Sequence, residues 1–115
     1  MSTDCIFCKI IAKEIPGEHL YHDDLVTAFR DIQPATPIHI LIVPNKHIPS
    51  MNEATVEDEA LLGHMLLVAQ KLAHEEGIAE NGYRLTINTG VDGGQVVYHI
   101  HLHLMGGKSF RTRLA

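Results

Sequence analysis

The sequence predicts an α+β fold in a single domain, residues 1–115, with about five strands, one short N-terminal helix and one long helix. Three stretches carry that expectation. In Tyr98-His99-Ile100-His101-Leu102-His103-Leu104-Met105, imidazole and aliphatic side chains alternate with the period of a strand. His39-Ile40-Leu41-Ile42-Val43-Pro44 is too apolar to face solvent and reads as a central strand. Between Thr55 and Glu76 the apolar residues return at helical spacing, after an N-cap with early acids and before a stop at Gly77.

A chain of 115 residues can bury one core, and 45% apolar against 20% charged residues is a globular balance. No run approaches the ~20 apolar residues of a membrane span. Met1-Ser2-Thr3-Asp4 lacks the basic-then-apolar start of a signal peptide, so a cytoplasmic location is expected. A net charge of −5 argues against a nucleic-acid partner, which would call for a basic stripe. Any phosphate must then be gripped locally, by oriented N–H groups and imidazoles. The nine histidines are the one compositional oddity.

Taken in order, Cys5 to Lys13 reads as a short helix with Asp4 or Thr3 available as its cap. Cys5 and Cys8 are three apart, and in a reducing compartment they read as core thiols, a redox pair, or two ligands of a zinc site. Ile15-Pro16-Gly17 turns the chain. Leu20 to His22 and Val26 to Arg30 form a hairpin about Asp23-Asp24, with His19 and His22 expected as solvated surface residues. A loop fixed by Pro34 and Pro37 delivers the central strand. In the long helix Leu61, Met65, Val68 and Leu72 make a stripe that Leu62, Leu66 and Ala69 widen, an arc broader than one thin sheet covers. Tyr83 to Asn88 is the next strand. The loop Gly90-Val91-Asp92-Gly93-Gly94 then leaves backbone N–H groups able to approach an anion closely.

On the last strand Ile100, Leu102 and Leu104 would face the core, with His99, His101 and His103 opposite, successive rings about 7 Å apart. A polar solvent face that happens to be histidine and a three-histidine metal site are the alternatives. The row reads foremost as a site that handles an anion or does nucleophilic chemistry, because each ring needs a partner for its N–H.

With its lead-in Gly93-Gly94-Gln95-Val96-Val97-Tyr98, the triad resembles the signature of the histidine-triad (HIT) family, in the Hint-like branch of nucleoside phosphoramidases. The resemblance covers nearly the whole chain. It implies the HIT fold: an antiparallel sheet of about five strands per chain, continued across a homodimer through the long helix and the Tyr83 to Asn88 strand. It also implies a purine nucleotide substrate and no organic cofactor. His101 would be the nucleophile, forming a nucleotidyl-histidine that water releases as the monophosphate. His99 and His103 would assist, His103 holding the non-bridging oxygens with the N–H groups near Gln95, Val96 and Val97. His39 would orient the catalytic imidazole or share its proton, and Asn88 and Gln95 would bind near the phosphate. Asp31 would accept from ribose hydroxyls, while Ile32, Phe7, Ile10 and Phe29 would sandwich the purine. Some family members carry a structural zinc, and its ligand positions fall here on Cys5, Cys8, His47 and His99.

Two departures stand out. Val96 occupies a position where many members carry a hydroxyl that helps the leaving group. The tail from Lys108 to Ala115 lacks the tryptophan of animal members. The competing expectations are a HIT enzyme acting on dinucleoside polyphosphates or nucleotide sugars, and a nucleotide-binding scaffold with incidental catalysis.

Overall fold

The most apolar strand takes the middle of the sheet. In the computed structural model, which describes residues 5–111, five strands run β1 (His19–His22), β2 (Val26–Arg30), β3 (Ile38–Pro44), β4 (Tyr83–Ile87) and β5 (Leu102–Gly106). Their order is β1-β2-β3-β5-β4, every neighbouring pair antiparallel. Both edges of β3 are therefore paired, and both its faces are covered. Ile40 and Ile42 join one apolar cluster, whereas Leu41 and Val43 join another on the opposite side. A strand buried on both faces has no polar alternation to show, which is why the sequence reads as an unbroken apolar run.

The larger cluster lies under the long helix α2 (Glu59–Glu75), which contributes Leu61, Met65, Val68, Ala69, Leu72 and Ala73. The expected start holds: Thr55 accepts from the Glu57 amide while the Asp58 carboxylate accepts from the Thr55 amide, a reciprocal cap. The first turn, Val56–Asp58, is wound as a 3-10 turn. At the far end Gly77 adopts φ 76°, the left-handed conformation in which glycine stops a helix without strain. Leu66 and Leu67 are 48% and 63% exposed, so part of the broad apolar arc is left uncovered by the sheet, as its width implies. No helix among the described residues is long and apolar enough to cross a membrane.

The smaller cluster forms beneath α1 (Ile6–Ile11), where Phe7 and Ile10 pack on Phe29, Leu41 and Val43. The cap expected at Asp4 or Thr3 is instead Cys5, whose thiol accepts from the Cys8 amide at 3.3 Å; Thr3 and Asp4 lie outside the described residues. The helix also ends at Ile11, short of Lys13, because Lys13 turns to φ 62°. His19 is not a solvated surface residue. Its ring nitrogens lie 3.1 Å from the carbonyls of Gly17 and of Ile10, which ties β1 to the end of α1. His22 is exposed as expected.

The triad strand is shorter than its alternation suggests. Regular pairing with β3 begins only at Leu102, opposite Ile42, so His99 and His101 precede the ladder. The Ile100 amide donates to the Ile48 carbonyl at 2.8 Å instead of to a strand neighbour. The facing alternation persists all the same, with Ile100, Leu102 and Leu104 in the larger cluster. β4 likewise stops at Ile87, leaving Asn88 to open the glycine loop.

Candidate active site

Hydrogen bonds fix the tautomer of each imidazole, and the tautomers give each ring its role. His101 Nδ1 lies 2.8 Å from the His99 carbonyl, an acceptor only, so Nδ1 carries the proton and Nε2 the lone pair. On β3, His39 Nδ1 accepts from the Ala35 amide at 3.0 Å, so the His39 proton sits on Nε2. That Nε2–H donates to His103 Nδ1 at 2.9 Å. His103 is left with its proton on Nε2. One ring thus offers a lone pair and its neighbour an N–H donor, with ring centroids 4.9 Å apart. That spacing is tighter than the 7 Å or so of a flat strand because His101 lies ahead of the ladder and leans toward His103.

Burial keeps the rings neutral. It pulls His103 down to about 4, with the neighbouring His101 and His39 acting in the same direction. His39 is lowered by burial too, against the opposing pull of Asp31, whose Oδ2 lies 3.5 Å from Nε2. That contact joins a neutral imidazole to a carboxylate, not two charges. Asp31 also accepts from the Gln33 amide at 2.9 Å.

The glycine loop is shaped by side chains for which the sequence suggested a different use. Gln95 is buried; its Oε1 accepts from the Gly90 amide at 3.0 Å, and Nε2 donates to the carbonyls of Pro49 at 2.7 Å and Val97 at 3.0 Å. With both ends of its amide bonded inside the protein, Gln95 shapes the loop and does not reach for phosphate. Asn88 braces the same loop, donating to the Gly93 carbonyl at 2.9 Å. Gly93 is required sterically, since a Cβ there would stand 2.2 Å from the Thr89 carbonyl oxygen. The amides of Val96 and Val97 take no part in the loop's own backbone bonds, and the Val96 side chain is 86% exposed.

Of the four apolar residues expected around a purine, Phe7, Ile10 and Phe29 are brought together and buried, with Phe7 and Phe29 edge-on at 5.6 Å. Ile32 stands apart, 86% exposed on the loop after β2. Phe7 also meets His101 edge-on at 5.0 Å, joining this cluster to the imidazoles.

Cys5, Cys8, His47 and His99 converge on one point, their ligand atoms all within 4.8 Å of one another. Cys5 Sγ and His47 Nδ1 lie 3.2 Å and 3.1 Å from His99 Nδ1, and Cys8 Sγ lies 3.4 Å from His47 Nδ1. His99 donates from Nε2 to the Pro44 carbonyl at 2.8 Å, so its Nδ1 lone pair points into the cluster. Burial holds His99 down to about 4 and pushes the Cys8 thiol up to about 11. Two thiols and two imidazoles, one with its lone pair already aimed inward, are the donor set of a closed tetrahedral metal site. A second group, Asp31, His39 and His103, is equally close. There the Ala35 amide keeps the proton on His39 Nε2, so the ring offers no lone pair to an ion.

Three groups on which the site relies were not in the sequence reading: the Ala35 amide and the carbonyls of Pro44 and Pro49. Backbone groups carry no residue signature. Only the paired prolines around Ala35 signal that its turn is rigid. A concavity of about 870 Å³ between β4 and residues 107–111 lies away from the imidazoles.

A sheet that presents one lone-pair imidazole beside a donor imidazole and a glycine loop defines a protein built for nucleophilic attack at an anionic centre. The chain belongs to the HIT domain family, whose model matches residues 12–110. Among curated proteins it is similar to the purine nucleoside phosphoramidase of Escherichia coli (strain K12), 56% identical over 115 residues, covering 100% of this chain and 97% of that one. Among solved structures it is similar to a HIT family hydrolase from Legionella pneumophila Philadelphia 1, with TM-score 0.93, 48% identity, and coverage of 96% and 98%. A histidine triad protein from Clostridium difficile gives TM-score 0.92 at 43% identity, covering 95% of each chain.

The depressed imidazoles set a pH dependence. Unfolded histidine titrates near ~6.5, whereas His103 in the fold titrates at about 4. Between those values the unfolded chain binds more protons, so stability is full above the unfolded value and falls as pH drops toward the folded one. Urea midpoints should decline across that window, and His103→Asn should flatten the decline. A midpoint that stays level through the window would contradict the neutral, buried state of these rings.

Proposed function

We propose that the chain hydrolyses purine nucleoside phosphoramidates, releasing an amine and a nucleoside monophosphate through a nucleotidyl intermediate on His101. The observation that carries the reading is the His101 Nδ1–H bond to the His99 carbonyl, which leaves Nε2 as a neutral nucleophile. The similarity to a purine nucleoside phosphoramidase over the full chain supports the substrate class. Nε2 attacks phosphorus, the P–N bond breaks, and the amine leaves with a proton. Water then cleaves the P–Nε2 bond and restores the neutral ring.

His103 Nε2–H and the amides of Val96 and Val97 hold the non-bridging oxygens as charge builds on them. His39 fixes the tautomer of His103 from behind. Asp31 takes the ribose hydroxyls, and Ile32 covers the purine from the open side, with Phe7, Ile10 and Phe29 as the floor. Val96 supplies no hydroxyl to the departing amine, so that proton comes from elsewhere in the site or from water. His101→Ala should abolish turnover of adenosine phosphoramidate while nucleoside monophosphate still binds. Mass spectrometry after an acid quench during turnover should map the adduct to His101. An adduct on another residue, or normal turnover by His101→Ala, would refute the assignment, and preferred turnover of a dinucleoside polyphosphate would move the substrate class.

Cys5, Cys8, His47 and His99 would hold one zinc ion, supplying a closed structural tie between α1, the loop after β3 and the triad segment. Protein purified without added metal should contain near-stoichiometric zinc by elemental analysis. A zinc-free sample with an intact fold would sink the idea.

A homodimer accounts for the apolar surface left outside the core. Leu66 and Leu67 on α2 and Leu85 on the edge strand β4 are all exposed, and β4 has one unpaired side. Sedimentation at micromolar concentration should show a dimer, shifted toward monomer by Leu67→Glu. A wild-type monomer under those conditions would overturn this assembly.

A further inference from the structure

His99 and His101 stand ahead of β5, so no ladder hydrogen bond orients their backbone. The one backbone anchor between them is the Ile100 amide on the Ile48 carbonyl. What orients the carbonyl of residue 99 is therefore the ring of His99, clamped at both nitrogens. Its Nε2 donates to Pro44 on β3, and its Nδ1 sits among Cys5, His47 and Cys8 at 3.2, 3.1 and 3.6 Å. That carbonyl in turn fixes the proton of His101 on Nδ1 at 2.8 Å. A second path runs through α1. Phe7, set between the two cysteines, meets the rings of His99 at 6.0 Å and His101 at 5.0 Å. Two of the restraints on the His101 ring, one polar and one apolar, thus pass through the Cys5–Cys8–His47–His99 cluster or the helix it holds, beside the direct contact with His103.

We propose that this cluster is a positioning device for the nucleophile: it holds the His99 carbonyl so that His101 keeps its attacking nitrogen unprotonated and aimed at phosphorus. The inference rests on the reading of His101 as nucleophile and adds a function to a group whose role would otherwise be to hold α1 in place. His47 is the informative member, because it is exposed and reaches the His101 ring only through other residues, by way of His99 and of Cys8 on α1. It acts as a positioning residue.

The test is His47→Ala in the full chain, read in three ways. Turnover of adenosine phosphoramidate should lose about 10- to 100-fold in kcat, the range for removing an outer partner of a tuned ring. KM and the affinity for adenosine monophosphate should change less than about 2-fold, since nothing that touches the nucleotide has been removed. Long-range proton–nitrogen correlation spectra of the imidazoles should show His101 as a single Nδ1–H tautomer in the wild type and as a mixture in the variant. His47→Cys, which restores a ligand, should return both kcat and the single tautomer.

A folded His47→Ala protein with unchanged kcat and an unchanged His101 tautomer would overturn the proposal. So would equal losses in kcat and in nucleotide affinity, which mark general loosening. If His47→Ala fails to fold, the same spectra of wild-type protein treated with a zinc chelator decide: a changed His101 tautomer in a folded chain supports positioning. Unfolding there as well makes the cluster a folding determinant and refutes it. If the wild type turns over no phosphoramidate yet its His101 tautomer responds to His47→Ala, the positioning stands and the substrate reading fails.

Discussion

The site depends on the bond from His99 Nε2–H to the Pro44 carbonyl, at 2.8 Å between two buried groups. It reaches across from the segment before β5 to the end of β3, where the ladder between those strands has already parted. An imidazole has one proton when neutral, and giving it to Pro44 commits the other nitrogen to face the thiols and His47 as a lone pair. The same ring then holds its own carbonyl toward His101. One hydrogen bond in an unpaired stretch thus sets which nitrogen of His99 faces the cluster, in the residue whose carbonyl takes the His101 Nδ1 proton.

Electrostatics explains why such a pattern is needed. The chain carries a net charge of −5, so no broad positive field draws an anion in. Burial also disfavours the charged forms of His39 and His103, so neither brings a formal cation to the site. What remains is a set of oriented N–H groups: His103 Nε2, held by His39, and the amides of Val96 and Val97, held by the bracing of Gln95 and Asn88. Preorganised donors of this kind stabilise charge that develops in a transition state without needing to reorient.

The sheet supplies the rigidity these donors require. β3 and β5 are inner strands, each covered on one face by α2, so His39 and His103 project from strands paired on both edges and packed from behind. Among the described residues no buried side-chain nitrogen or oxygen lacks a partner. The outer face of α2 and the edge of β4 carry Leu66, Leu67 and Leu85, an apolar surface apart from Ile32 and Val96 beside the site.

Residue types and periods were enough for the order of the strands' burial, the helix from its Thr55 cap to Gly77, and the convergence of Cys5, Cys8, His47 and His99, the last through the resemblance. Those features follow from side-chain patterns, which a sequence displays directly. Tertiary structure decided the rest, because it turned on backbone groups and on distance. Nothing in the residue order says that pairing stops at Leu102, that a thiol caps α1, or that His19 bonds to two carbonyls. Gln95 read as a phosphate ligand until its partners proved to be Gly90, Pro49 and Val97. The tautomers of His39 and His101 are invisible in sequence, since each is fixed by an amide or carbonyl that any residue could have supplied. The sequence determined which groups are present; the fold decided where each proton sits.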